Sequence, residues 1–205
     1  MPKLRKAFYR RADVNQIAKD LLGKVLVTHK AAQITSGIIV EAEAYKAPED
    51  SASHAHNYRR TPRTAVMFAN GGVAYVYLIY GMYKLFNVVT HRKGEPHAVL
   101  IRALQPLDGL EIMRRRRAAQ SGEKNGKITQ GPGILSQALD ITLADSGSDL
   151  SGSEIWIEDR GTKVAPCEIS QSRRVGVQVP EPYRSAPWRY SIKANPWVSD
   201  PKPER

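Results

Sequence analysis

A single cysteine, Cys167, among 205 residues rules out an intrachain disulfide and points to a reducing compartment. It follows Pro166 outside any thiol-enzyme motif, so no nucleophilic role is assigned to it. No apolar run is long enough to span a bilayer, which weighs against a membrane protein. The N-terminal stretch MPKLRKAFYRRADV is basic and has no apolar core, so no secretory signal is expected and the chain is placed in the cytoplasm. His54 and His56 form an H-x-H, but no cysteine or acid accompanies them at metal-ligand spacing; no metal and no cofactor are expected. Glycine-rich loops of the P-loop or dinucleotide type are missing. Acidic residues are also in short supply: 20 Asp and Glu face 31 Lys and Arg, a net charge of +11. Such a surplus suggests a polyanionic partner, although a generally basic solvated surface would have the same composition.

What is present is ordinary for a globular protein: 41% hydrophobic and 25% charged residues. One mixed α+β domain is expected over 1–205, with 1–11 and 200–205 as frayed tails and 121–129 as a flexible loop. Asp13 followed by Gln16 reads as a capping box opening a helix that Gly23 ends. Lys24–His29 and Gly37–Tyr45 read as strands, with a turn around Ala31–Thr35. Lys46–Asn70 reads as a long loop or short helical pieces, a length that is usually functional in a compact domain. The aromatic run VAYVYLIYGMYKLFNVVT, broken at Gly81, reads as two strands with a tight bend at Tyr80–Tyr83. Further strands are expected at Ala98–Leu104, Glu154–Asp159 and Arg174–Val179, and helices over Pro106–Gln120 and after Gly131-Pro132-Gly133.

Two segments carry chemistry. Strict alternation along GIIVEAEAY places Ile38, Val40, Ala42 and Ala44 on one face and Ile39, Glu41, Glu43 and Tyr45 on the other. A buried carboxylate without a partner is costly, so at least one acid should meet a cation or line a cleft. Pattern alone does not choose between a salt-bridged sheet face and a water-activating base, nor between Glu41 and Glu43. In the tyrosine run, Tyr75, Tyr77 and Ile79 share a face, while an aromatic at the bend has no obvious core to enter; apolar wedges of that kind unstack base steps.

The strings EAEAYKAPEDSASHA, TPRTAVMF, YVYLIYGMYKLFNV, LIRALQPLDGLEIMR, QGPGILSQAL and PWVS, in this order, closely resemble the alkyladenine (3-methyladenine) DNA glycosylases, from about Ala12 to Ser199. The resemblance implies a single compact domain with a curved, mostly antiparallel sheet, flanking helices and a protruding β-hairpin. It implies an enzyme, nucleoid-associated if bacterial, that binds the minor groove of duplex DNA and excises alkylated or deaminated purines (3-methyladenine, 7-methylguanine, hypoxanthine, ethenoadenine); minor-groove binding by one hairpin needs only a monomer. By that resemblance Glu43 is the general base and Arg102 helps hold the catalytic water. Tyr45, His54 and Tyr77 wall the base pocket, Asn87 discriminates against normal guanine, and Tyr80 with Met82 intercalates. Arg59, Arg60 and Arg63, just after His54, are candidates for phosphate contact. Gly131 and Gly133 are weaker ones, equally read as an ordinary Pro-initiated helix. The run Arg114–Arg117 is more often a solvated face. A non-catalytic nucleic-acid-binding module on the same fold, or a glycosylase with an added lysine-dependent lyase step, would share the composition.

Overall fold

The computed structural model of the protein describes residues 1–121 and 127–203. In chain order the elements are α1 (Lys6–Tyr9), α2 (Val14–Leu21), β1 (Val25–Lys30), β2 (Gln33–Lys46), β3 (Ala74–Ile79), β4 (Tyr83–Thr90), β5 (His97–Pro106), α3 (Leu110–Ser121), α4 (Pro132–Ala138), β6 (Ile155–Glu158), β7 (Ile169–Ser172) and β8 (Arg189–Ile192). The strands form one sheet in the order β3-β4-β5-β2-β1-β6, with β8 pairing both β2 and β7. Every strand pairing is antiparallel. The result is a single α+β domain with a curled, half-barrel sheet.

β2 organises the sheet. One edge bonds β5 along most of its length; the other bonds β1 up to Ile38 and β8 from Glu41 to Glu43. The register with β5 shifts twice, between Ile39 and Glu41 and again between Glu41 and Ala42. Val40 is the extra residue on β2, and Arg102, between the paired Ile101 and Ala103, is the extra one on β5. These bulges overturn the strict alternation expected from the sequence. Ile39 joins Ala42 and Ala44 in the main core, while Val40 packs with Ala103 and Val198 in a separate cluster. A bulge inserts one unpaired residue and changes the phase of the period-2 pattern, a change that no composition signal announces.

The main core lies between the sheet and the helices and includes Ile17, Leu21, Phe86, Ile101, Met113 and Leu135, all fully buried. Burying each large side chain contributes about 1.5–3 kcal/mol. A second cluster, with Ala55, Met67 and Tyr75, joins the loop after β2 to β3. The helix after Asp13 forms as expected, and the Asp13 carboxylate accepts from the N–H groups of Asn15 and Gln16. Gln16 does not complete a capping box; its amide reaches Asp20 instead.

Several expectations are corrected. Residues 1–11 are not frayed: Leu4 bonds Ile157, and Tyr9 is buried with its carbonyl accepting from His91 N. Gly71 lies so close that a β-carbon there would come 2.6 Å from that carbonyl. Of the loop expected at 121–129, residues 122–126 lie outside the described residues, but Thr129 is buried and donates to Leu104 O at 2.6 Å. The tail expected from 200 is tied at its start, where Arg189 donates to Pro201 O; residues 204–205 lie outside the described residues. Arg174–Val179 is not a strand: Val175 N donates to the Glu43 carboxylate rather than to a neighbouring strand. β7 and β8 pair there instead. In the arginine run, Arg116 donates to Ala138 O and Arg117 to Lys127 O, so half of it holds α3 in place.

Replacing Tyr9 by alanine is expected to lower the free energy of unfolding by about 3–5 kcal/mol, the cost of emptying a buried aromatic site. Urea titration measures it; a change below the experimental error would mean that this segment does not dock.

Candidate active site

A cleft of about 520 Å³ opens beside β3, β4, β5 and the end of β2. Its walls include Tyr45, His54, Tyr75, Tyr77, Asn87, Arg102 and Val175. The alternation of β3 brings Tyr75, Tyr77 and Ile79 to this side, as their spacing predicts. The loop after β2 delivers His54, whose Nδ1 lies 2.8 Å from the Tyr75 hydroxyl and whose ring stands edge-on to Tyr77 at 4.5 Å.

Glu43 is fully buried and lies just behind the wall, touching three groups that line it. Its Oε1 accepts from Val175 N at 2.7 Å and lies 3.3 Å from Arg102 Nη1; its Oε2 accepts from the Tyr45 hydroxyl at 2.9 Å. Glu41 is also fully buried, but its situation differs. Its Oε1 accepts from Arg102 Nε at 2.8 Å, Arg189 Nε at 2.7 Å and Ser199 Oγ at 3.0 Å, while its Oε2 accepts from Ser199 N at 2.7 Å. A carboxylate offers about four acceptor positions. Glu41 receives four hydrogen bonds, three on Oε1 and one on Oε2; Glu43 receives two, with Arg102 Nη1 at 3.3 Å beside them.

Arg102 connects the acids. The bulge on β5 releases it from the paired register, and its guanidinium spans Glu41, Glu43 and Ser199. Burial opposes its charge, but Glu43 and Glu41 outweigh burial and hold it protonated. Burial, then the charge of Glu43, raises the Tyr45 phenol, which therefore remains a donor. Burial likewise raises Tyr77, and pushes Tyr75 up to about 12. The cleft thus offers neutral aromatic surfaces beside a buried acid held by one cation. Such a set can stack a planar ring and deprotonate a water.

Asn87 is locked: both amide hydrogens are used, on the carbonyls of Tyr75 and Leu85. The hairpin tip projects into solvent, with Tyr80 84% and Met82 59% exposed. Tyr80 and Gly81 both have positive φ, 53° and 71°, as primed hairpin turns require. For tyrosine that conformation is strained, by about 1–3 kcal/mol. Arg59, Arg60 and Arg63 are exposed. Arg59 and Arg63 line a second hollow of about 400 Å³ that shares Ser53 and His54 with the cleft, while Arg60 lies over Phe68. Gly131 and Gly133 line the cleft, and packing explains Gly133: a β-carbon there would come 2.6 Å from the Tyr83 ring. His56 is turned away from His54 and bonds Pro48 O, so the H-x-H pair serves two separate structures.

Sequence reasoning assigns no role to Val175 N, Arg189, Ser199, or the buried Asp50–Arg174 pair, although Asp50 and Ser199 lie in the strings that carry the resemblance. Each meets the site through contacts more than 90 residues apart, and none sits in a periodic pattern.

Residues 7–196 match the family described as Methylpurine-DNA glycosylase (MPG). A protein of Chlamydia abortus is 47% identical over 192 residues, covering 92% of this chain and 97% of its own length. One from Alkaliphilus oremlandii is 42% identical over 202 residues, covering 96% and 98%. Both bear the name "Putative 3-methyladenine DNA glycosylase".

Burial, and secondarily the charge of Arg63, lower the His54 imidazole from its ordinary 6.5 to about 4. The unfolded chain would then bind a proton that the folded chain refuses. The His54 contribution to stability therefore falls as pH drops from about 6.5 towards 4. An NMR titration should find His54 neutral down to about pH 4, with Arg63→Ala moving the midpoint upward. A midpoint near 6.5 in the parent protein would contradict the burial described.

Proposed function

This chain belongs to the methylpurine-DNA glycosylase family of DNA-repair hydrolases, and from that premise we propose that it hydrolyses the N-glycosidic bond of a damaged purine turned out of duplex DNA, with Glu43 as the water-activating base. The carrying observation is the unequal use of the two acids. Glu41 receives four hydrogen bonds, while Glu43 receives two and is the less heavily used acceptor, beside Arg102, Tyr45 and Val175.

The reaction begins with extrusion of the nucleotide, which costs a few kcal/mol. Tyr80, with Met82 beside it, enters the gap; their exposure and the positive-φ turn that carries them support that role. The purine stacks among Tyr45, Tyr77 and His54, worth about 1–3 kcal/mol per base–aromatic contact. A cationic alkylpurine gains most, and it leaves readily because it takes the bonding electrons as a neutral base. Departure leaves an oxocarbenium-like sugar. A water then gives its proton to Glu43 and its oxygen to C1′, while Arg102 and the Val175 N–H hold the carboxylate in place. Asn87 cannot rotate aside, since both its donors are bound; that supports exclusion of guanine by crowding at its exocyclic amine. Arg59, Arg60 and Arg63 contact phosphates. Among the described residues no lysine lines the cleft, which supports simple hydrolysis without a lyase step. The proposed substrates are 3-methyladenine and 7-methylguanine, which leave as neutral bases, and hypoxanthine and ethenoadenine, which leave with the bonding pair as anions and take a proton from water as they depart.

A single-turnover assay on a duplex with one hypoxanthine or ethenoadenine tests the proposal. The expected product is an abasic site that breaks only after alkali. Glu43→Gln should slow base release by about 10²–10⁴-fold with DNA binding retained. Full activity in that variant would refute the assignment, strand cleavage without alkali would favour the lyase, and binding without release would favour a non-catalytic module. Tyr80→Ala should reduce lesion affinity more than affinity for undamaged duplex, measured by fluorescence anisotropy; equal losses would remove the intercalating role.

A further inference from the structure

Behind Tyr45, on the side of the site that the chemistry above does not use, lies a second fully buried ion pair. The side chains of Asp50 and Arg174 have no solvent exposure, and Arg174 grips the carboxylate with two nitrogens, Nη1 to Oδ2 at 2.5 Å and Nη2 to Oδ1 at 2.9 Å. Each partner also holds backbone. Asp50 accepts from Lys46 N and Ala52 N, at 3.3 and 3.0 Å. Arg174 donates to Ala44 O, the carbonyl between Glu43 and Tyr45, and to Tyr183 O, each at 3.1 Å. Its guanidinium carbon lies 4.6 Å from the centre of the Tyr45 ring and 5.1 Å from that of Trp188.

One ion pair therefore touches three separate pieces of chain: the end of β2 with Glu43 and Tyr45, the loop that carries His54, and the segment whose next residue, Val175, donates its N–H to Glu43. We propose that Asp50 and Arg174 are positioning residues for base excision, setting the Glu43 carboxylate and the Tyr45 ring in register with the His54 wall. The proposal rests on the reading of Glu43 and Tyr45 as base and stacking wall.

Stability alone gives little reason for charges here. Replacing a buried ion pair by packed apolar residues is often neutral or stabilising. What an apolar plug does not supply is a planar fork that fixes direction on the carboxylate while lying against two rings. Lysine would keep the charge and lose the fork. That difference separates positioning from simple charge balance.

The test is single-turnover excision of ethenoadenine from a duplex, with the full-length protein in excess, for Arg174→Lys, Asp50→Asn and Glu43→Gln beside the parent. Partial unfolding lowers the amount of active enzyme, read from the burst amplitude at limiting enzyme. Misplacement lowers the rate constant of the enzyme that is active. A shift of about 1 Å is enough for a ~100-fold loss, so Arg174→Lys and Asp50→Asn should each lose about that much in rate constant, with half-saturating concentration changed by less than about threefold. Parent-like rate constants in both variants, whatever their amplitudes, would overturn the positioning role, as would full rescue by lysine. If Glu43→Gln is inactive while Arg174→Lys matches the parent, only the positioning proposal fails. If Glu43→Gln also matches the parent, the reading of Glu43 itself is wrong.

Discussion

Two carboxylates without solvent access sit two residues apart on β2, and the guanidinium of Arg102 reaches both. Buried charge of this kind is tolerated only when it is paired and hydrogen-bonded, because leaving one charge uncompensated costs about 3–5 kcal/mol. The surroundings answer that demand unequally. Glu41 draws in Arg189 from β8 and Ser199 from the C-terminal segment, and so fastens the far end of the chain to the centre of the sheet. Glu43 receives lighter support, from a backbone N–H and a tyrosine hydroxyl. Two acids that look equivalent in sequence thus divide into a structural anchor and an acid with spare acceptor capacity.

The paired bulges make this division geometrically available. In an unbroken ladder Arg102 would have a partner residue directly opposite on β2. With Val40 and Arg102 each unpaired, β5 offers its arginine to both acids while the apolar residues keep to the core. Bulges are common next to active sites because they re-aim a side chain at little cost to the rest of the sheet. The hairpin shows the same economy: β3 alternation places Tyr75 and Tyr77 on the cleft, and the positive-φ turn sets Tyr80 out in solvent.

Local pattern carried much of this. The helix after Asp13, the strand bearing Glu43 and Tyr45, the Gly81 hairpin and the α+β class follow from caps, alternation and turn chemistry. Resemblance to a family selected Glu43, and the structure brings Tyr45, His54, Tyr77, Asn87 and Arg102 around one cleft. Long-range polar contacts were not legible. No local pattern of caps, alternation or turns distinguishes Asp50 or Arg174 from surface charges, yet both side chains are fully buried. The bulge at Val40 and the docking of Tyr9 leave no local signature for a related reason: both are decided by what the rest of the sheet places opposite them.

The central claim is that Glu41 is spent on structure and Glu43 is kept for chemistry. Urea unfolding of Glu41→Gln and Glu43→Gln, measured side by side, tests it most directly. A neutral amide at 41 removes the charge that Arg102 and Arg189 face and puts an NH2 donor either where both arginines donate or where Ser199 N donates. The account predicts a loss of about 3–5 kcal/mol for Glu41→Gln and a clearly smaller one for Glu43→Gln. Equal losses, or a larger loss at Glu43, would contradict it.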